Sequence, residues 1–326
     1  MKWLRRYWPS LVLLLLLSAN VAIVWQRQWI GDWLRLRGYT PPASIVTLAN
    51  DDKMTDYSKH LFYINHPVLE NKETFNMHCT ESGQETAVLG CYHGDRLGIY
   101  LYDVNDPRLE GVQQVTAAHE MLHQAYDRLS PKERTRIDAL TKAYYASDKI
   151  NADIKEKIDS YRSQPGAVIA NEEHSILGSE AAGLPDELET YYKQYFTDRS
   201  KVVAYAEAYR GEFTRRKELV DQYDTQLAHL KAQIDSSKAD LQVRLKDLKA
   251  KEAEINDDQT QQNNAEYQAD VQSYNDQVRA YNAKINATKS LIDNYNDTVT
   301  KRNNIAVEEQ QLQQALDSRL TPATTQ

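Results

Sequence analysis

The sequence predicts an α+β domain with a small mixed sheet, preceded by an N-terminal transmembrane helix and followed by a long antiparallel α-helical coiled-coil hairpin. Three observations support this prediction: an uncharged apolar run near the N-terminus, short β-prone runs that give way to a helical period, and a C-terminal region almost without Gly or Pro. The predicted boundaries are 1–43 for the anchor and its connector, 44–205 for the α+β domain, 206–320 for the hairpin and 321–326 for the tail.

The charge of the chain argues against a nucleic-acid-binding protein. The 326 residues include 47 acidic and 39 basic side chains, a net charge of −8, and the basic residues are not concentrated in one segment. Proteins that bind nucleic acid usually carry a basic face. We therefore expect no nucleic acid among the partners of this chain.

A signal anchor is predicted at the N-terminus. Three basic residues precede the uncharged run 7–26, which is long enough to cross a hydrocarbon core of ~30 Å. Trp8 and Trp25 stand near its ends, where aromatic residues often mark the membrane interface. The run lacks an A-x-A-like cleavage site, which favours a retained anchor over a cleaved signal peptide.

Two cysteines bear on the compartment. Cys79 and Cys91 are twelve positions apart in a segment that contains Gly and Ser. This spacing favours one disulfide in an oxidising compartment, and two free buried thiols are the alternative. Together with the short tail before residue 7, it predicts a single-pass protein of the cell membrane whose body is extracytoplasmic.

The α+β region begins with β-prone runs separated by turn signals. These runs are SIVTL (44–48), HLFYIN (60–65), TAVLGCYH (86–93) and LGIYLYDV (97–104). They predict a small sheet that is partly antiparallel. From residue 112 the apolar period becomes helical, and Ser130, Pro131 and Glu133 form the capping-box signature of a further helix.

Apolar heptads predict the hairpin. One set recurs every seven residues from Val220 to Ile255 and a second from Val271 to Val299, with the polar stretch 256–264 between them. An antiparallel pair would bring together residues whose numbers sum to 522: Leu248 with Tyr274, Leu241 with Tyr281, Ile234 with Thr288, and Leu227 with Tyr295. This register puts the fold-back near Gln261, and an intermolecular coiled coil is the alternative.

The segment TAAHEMLHQA (116–125) carries the chemistry. His119 and His123 are four positions apart on a predicted helix, so both imidazoles lie on one face and can reach one tetrahedral zinc. Glu120 can take a proton from water at such a metal. The bare H-E-x-x-H pattern is moderately specific, but Thr116 three positions before it and the uncharged neighbours sharpen it. Two incidental histidines on an exposed helix are the alternative.

This segment resembles the active-site helix of the zincin metallopeptidases, and LGIYLYDV before it resembles the edge strand of that fold. The resemblance implies a zincin-like catalytic domain whose zinc has a third protein ligand. Metzincins have a third His where this chain has Leu129, which excludes that branch. Asn171, Glu172 and Ser175 are similar to the N-E-x-x-S element that carries the third ligand in gluzincins, so the resemblance implies Glu172 as that ligand.

The match to the gluzincin element is incomplete. Ile176 stands where that family has an Asp that supports the first His, so another group must orient the ligands. Glu173, His174 and Glu180 are alternative ligands. His174 has a second candidate role, which is to stabilise the oxyanion of the reaction; a surface histidine without a role is the alternative.

The sequence thus predicts a membrane-anchored zinc metallopeptidase that hydrolyses a peptide or protein substrate, with the metal on His119, His123 and Glu172 and with Glu120 as general base. The hairpin would hold the catalytic domain off the membrane surface, present or restrict substrates, or bind a protein partner or another copy of the chain, and the sequence does not choose among these. One alternative is a cell-surface structural or adhesion protein with a stabilising or vestigial zinc site. Another is an enzyme that acts on cell-envelope peptides.

Overall fold

The computed structural model describes residues 28–79, 88–94, 97–162, 168–261 and 264–320. The chain divides into two compact units. One unit includes the described residues up to Arg210 and from Gln314, and the other is Gly211–Gln313.

The first unit is mostly helical and contains one small sheet. Its helices are α1 (28–36), α2 (Ala43–Asp51), α3 (Asp56–Tyr63), α4 (Lys72–His78), α5 (Val112–Asp127), α6 (Pro131–Tyr145), α7 (Ala152–Arg162), α8 (Ile169–Glu180), α9 (Asp186–Tyr192) and the start of α10 (Ser200–Gln261). Its strands are β1 (Val68–Glu70), β2 (Gly90–His93) and β3 (Gly98–Tyr102).

The sheet has the strand order β1-β3-β2, with β1 parallel to β3 and β2 antiparallel to it. This confirms the prediction of a small, partly antiparallel sheet. The last two β-prone runs supply β2 and β3. The sequence did not predict β1, which has only three residues and pairs with a strand about thirty positions further along the chain.

Two of the predicted strands were wrong, because SIVTL lies in α2 and HLFYIN lies mostly in α3. The buried residues of α2 are Ile45, Leu48 and Ala49, and spacings of three and four are those of a helix face. At the start of α3 the side chain of Thr55 accepts a hydrogen bond from the Ser58 amide, as an N-cap does. Runs of five or six residues fit the period of a helix and the period of a strand equally well. Both segments form helices here because each buries a helical face against α5.

Helix α5 lies at the centre of the first unit, in contact with α2, α3, α8, β2 and β3. Its Met121, Leu122 and Ala125 are fully buried. Gly178 lets α8 approach closely: a Cβ there would lie 2.5 Å from Leu122 Cδ1 and 2.6 Å from Tyr192 Cε1. The close approach matters because α8 also carries Glu172.

The predicted disulfide is present between Cys79 and Cys91. It joins the residue after α4 to strand β2. The capping box at Ser130 is also confirmed, since its side chain bonds the Glu133 amide and the Glu133 carboxylate reaches back to the Ser130 amide.

The second unit consists of the rest of α10 and most of α11 (Asn264–Leu316). Ion pairs join the two helices at Lys251–Asp270, Lys284–Asp240, Arg302–Asp224 and Arg216–Glu308. The numbers of these pairs add to 521, 524, 526 and 524, within about one helical turn of the predicted 522. The helices therefore pair antiparallel within one chain, and Ile234 and Thr288 of the predicted seam are both buried.

The predicted domain boundary at 205/206 falls inside α10, which begins at Ser200. The Asp198 carboxylate accepts a hydrogen bond from the Ser200 amide at this start. The predicted span 7–26 lies outside the described residues. Among the helices that are described, none has the length and apolar character needed to cross a membrane.

Candidate metal centre

Helix α5 positions the three residues of the H-E-x-x-H motif. His119, Glu120 and His123 are 8%, 5% and 9% exposed, so this stretch faces the interior rather than solvent. The two imidazole rings have centroids 4.6 Å apart and are nearly perpendicular. Two ring nitrogens thus point to one place, as the four-residue spacing predicted.

The first turn of α8 brings Glu172 to the same place. Glu172 Oε2 lies 3.5 Å from His119 Nε2, and Glu172 Oε1 lies 3.6 Å from His123 Nε2. One candidate ligand atom from each of the three residues falls within a group no more than 4.8 Å across. The residue that the resemblance implied as third ligand is therefore the one that the fold brings to the histidines.

The donor set and its spacing fit a zinc ion. Ligand atoms at about 2.1 Å from a tetrahedral zinc are about 3.4 Å from one another, close to the 3.5 and 3.6 Å between Glu172 and the two histidines. Glu172 Oε2 is buried and makes no hydrogen bond within the described part of the chain. A buried carboxylate oxygen without a donor is costly, and a cation between the three side chains would satisfy it.

The charge state of Glu172 also suits a ligand. Burial alone raises the pKa of its carboxyl group, but the approach of His119, His123 and Lys157 outweighs burial and lowers that pKa below its usual value. The side chain is therefore an anion near neutral pH. A metal ligand has to be deprotonated in the same way.

Neighbouring side chains hold His123 in place. Ser175 Oγ lies at hydrogen-bond distance, 3.2 Å, from His123 Nδ1. A metal on Nε2 would leave the proton of the neutral ring on Nδ1, from where it would be donated to this hydroxyl. The Tyr92 ring stacks on the His123 ring, and its hydroxyl lies 2.9 Å from Asp127 Oδ2 and 3.1 Å from Gln124 Oε1, the two acceptors for its one proton. Ser175 is the serine of the N-E-x-x-S pattern, so the sequence contained this signal but its role was missed.

Ile176, which stands where gluzincins have an Asp, contributes to the hydrophobic core in this chain. Ile176 is fully buried in the core. His119 Nδ1 is buried and has no hydrogen-bond partner in the described part of the chain. A neighbouring side chain therefore orients the second histidine, His123, and not the first, His119, among the described residues.

The alternative ligands are engaged elsewhere. The Arg162 guanidinium pairs with the Glu173 carboxylate, and Lys157 Nζ lies 2.5 Å from Glu180 Oε1. His174 is fully buried and its Nε2 is 2.8 Å from the Tyr191 hydroxyl. Burial and the neighbouring His123 and His119 lower the pKa of His174 to about 3, so its imidazole is neutral.

A cavity of about 250 Å³ opens beside the motif. Its wall includes His119, Glu120, Tyr161, Lys157 and residues 88–90, whereas His174 is not part of that wall. Gly90 is required for this arrangement, because a Cβ there would lie 2.7 Å from Glu120 Oε1 and 2.6 Å from Thr116 Cγ2. The edge strand β2 therefore passes directly over the glutamate of the motif.

Sequence reasoning missed Tyr161 on α7. Burial raises the pKa of its phenol, and the carboxylates of Glu172 and Glu120 raise it further against the opposite effect of Lys157. Tyr161 therefore keeps its proton at neutral pH and can donate a hydrogen bond into the cavity. No local pattern marks this residue, which only the packing of α7 on α8 brings to the site.

Comparison with known proteins adds no relative: no protein-family model, no curated protein and no solved structure gives a significant match to this chain.

Proposed function

We propose that the chain is a zinc-dependent metallopeptidase whose metal is held by His119, His123 and Glu172. The observation that carries the proposal is the convergence of these three side chains beside Glu120 at the wall of a cavity. A purely structural zinc site is closed by four protein ligands and has no use for a base beside the first one. A cavity next to three ligands is what a hydrolytic site requires.

Zinc bound by these residues would supply Lewis acidity, which lowers the pKa of water and polarises a carbonyl group. Glu120 takes the proton from the attacking water and then gives it to the leaving amine, as a general base that becomes a general acid. Its near-complete burial keeps bulk water from competing for that proton.

Tyr161 is the better candidate for the oxyanion donor. Its ring lines the cavity beside Glu120 and His119, and its phenol remains protonated. His174, the residue that the sequence suggested for this role, has its Nε2 engaged with Tyr191 inside an aromatic cluster. We assign His174 to the packing of α8 and Tyr161 to the oxyanion that develops on the scissile carbonyl.

An extended peptide is the substrate form that this cavity favours. Residues 88–90 line it next to β2, which is an outer strand of the described sheet. An edge strand can bind a peptide through main-chain hydrogen bonds. The disulfide between Cys79 and Cys91 favours an oxidising compartment, so we place the activity outside the cytoplasm on a membrane-anchored protein.

Zinc content and peptide hydrolysis of the full chain test this function together. We expect one zinc per chain in the parent and in Glu173→Ala, and none in Glu172→Ala, because Glu172 lies within 3.6 Å of both histidines whereas Glu173 pairs with Arg162. Glu120→Gln should keep the zinc and lose hydrolysis by a factor of about 10²–10⁴, the usual share of a general base. A folded parent that binds no zinc, or a Glu120→Gln variant that cleaves peptides as fast as the parent, would refute the proposal.

A further inference from the structure

Helix α1 exposes large apolar side chains on one face. Trp29, Trp33 and Leu34 are 65%, 51% and 57% exposed. At 100° per residue these three side chains fall within about 140° of the helix circumference. A cluster of this kind on the surface of a domain usually marks an interaction site.

The opposite face of α1 is fixed to the first unit. Asp32 is 5% exposed and forms a bidentate pair with Arg128, at 2.7 and 3.1 Å, and lies 3.2 Å from His60 Nε2. Arg35 Nε donates to the Ile64 carbonyl. The tryptophans are therefore exposed by a helix that is docked on the domain, not by a loose segment.

The chemistry of the outward face suits the interface of a lipid bilayer. Tryptophan is enriched where acyl chains meet headgroups, and cations near such a helix interact with lipid phosphates. The Arg37 guanidinium lies 5.5 Å from the centroid of the Trp33 ring, on this same face. Aromatic rings and a cation thus share one surface.

Chain length ties this surface to the predicted membrane span. The uncharged run ends at Gln26, three residues before Trp29, and three residues reach at most about 11 Å. If 7–26 crosses a bilayer, Trp29 cannot lie further than that from the end of the hydrocarbon core. This constraint favours lipid over another protein as the occupant of the face.

We infer that the outward face of α1, formed by Trp29, Trp33, Leu34 and Arg37, binds the membrane interface with the helix lying along the bilayer surface. Because Arg128 is the C-cap residue of α5 and also the partner of Asp32, this contact orients the whole first unit on the bilayer. The inference rests on the predicted span and not on the proposed enzymatic activity.

Tryptophan fluorescence of the full chain in phosphatidylcholine vesicles tests the inference. In a variant with Trp3, Trp8, Trp25 and Trp29 changed to Phe, Trp33 is the sole reporter. We expect its emission to fall by about half or more when the lipid is brominated on its acyl chains, because an interfacial helix inserts its apolar face about 5–10 Å into the headgroup and acyl boundary. Acrylamide should quench it weakly.

A matched variant supplies the control. Tyr57→Trp in the same background, with Trp33 also changed to Phe, reports an aromatic side chain that is 47% exposed on α3. Its emission should respond to acrylamide and not to brominated lipid. Two results would overturn the inference: equal quenching by the lipid at both positions, or no quenching of Trp33 by the lipid. If Trp33 is also shielded from acrylamide in the second case, a protein partner or a second copy covers the face.

Discussion

The helix pairs α5–α8 and α10–α11 differ in the polar groups that lie between them. Between α5 and α8 the facing residues include two histidines and a glutamate that are largely buried, and Glu172 Oε2 lacks a hydrogen bond there. Between α10 and α11 ionic groups pair across the helices near solvent, as in Arg302–Asp224. Exposed ion pairs add little stability, so the second pair relies on its apolar seam.

The unpaired polar atoms between α5 and α8 distinguish a candidate ligand site from ordinary helix packing. Folding tends to satisfy buried polar groups, because each one left without a partner costs about 1–3 kcal/mol. Between α5 and α8 three candidate ligand side chains meet, and one of their oxygens, Glu172 Oε2, has no hydrogen bond in the described part of the chain. This combination is the one that our metal proposal rests on. The periodic hairpin has no such cluster among its described residues.

After the losses expected at Glu120 and Glu172, the next largest effect is expected at the cavity wall. Tyr161→Phe should lower kcat by about 10²–10³, the usual loss for one oxyanion donor, and should leave the zinc content unchanged. Steady-state kinetics on one peptide substrate, with metal analysis of the same sample, measures both quantities.

Tyr209→Phe is the matched control for that experiment. Tyr209 lines the same cavity, but its hydroxyl faces the Glu180 carboxylate at 3.4 Å. We expect its kcat to stay within a few-fold of the parent. If both variants lose activity equally, or if Tyr161→Phe loses none, the assignment of Tyr161 is wrong.

A pair of glycines compares the two regions directly. Gly178→Ala puts a Cβ against Leu122 and Tyr192 and should destabilise the first unit by about 1–3 kcal/mol, the cost of overpacking a core. Gly211→Ala has no heavy atom within 4 Å of the new Cβ and should stabilise its helix by roughly 0.5–1 kcal/mol. Chemical denaturation followed by circular dichroism measures both changes, and a neutral Gly178→Ala would contradict the close packing of α5 on α8.

Local patterns predicted which residues lie close together better than they predicted the topology. The spacing of His119, Glu120 and His123, the N-E-x-x-S element at Glu172 and the heptads of the hairpin each depend on a short stretch, and the structure brings these residues where the patterns required. The helices α2 and α3 were predicted as strands, because apolar runs of five or six residues fit both periods.

Features that arise only from tertiary packing escaped the sequence. Tyr161 reaches the site because α7 packs on α8, and β1 exists because it pairs with β3. The docking of α1 depends on Asp32 meeting Arg128, 96 positions away. No period or motif in the sequence records such contacts.

Asp52 tests whether unpaired buried polarity always indicates a ligand. Its carboxyl group is fully buried outside the metal centre, and neither oxygen has a hydrogen-bond partner in the described part of the chain. Burial, with a smaller contribution from Asp51, raises its pKa well above the usual value. The folded protein therefore binds a proton at Asp52 that the unfolded chain has already released.

The sign of the pH dependence follows from that difference. Between the ordinary pKa of an aspartate and the raised pKa of folded Asp52, unfolding releases this proton. The free energy of unfolding therefore falls as pH rises, by at most about 1.4 kcal/mol per pH unit. Asp52→Asn should remove this decline while Asp51→Asn retains it, in unfolding free energies measured by denaturant titration from acid to neutral pH. If the two variants decline alike, Asp52 carries a charge in the folded state and has a partner, such as a cation, and the chain would then have a second candidate ligand site besides the one at Glu172.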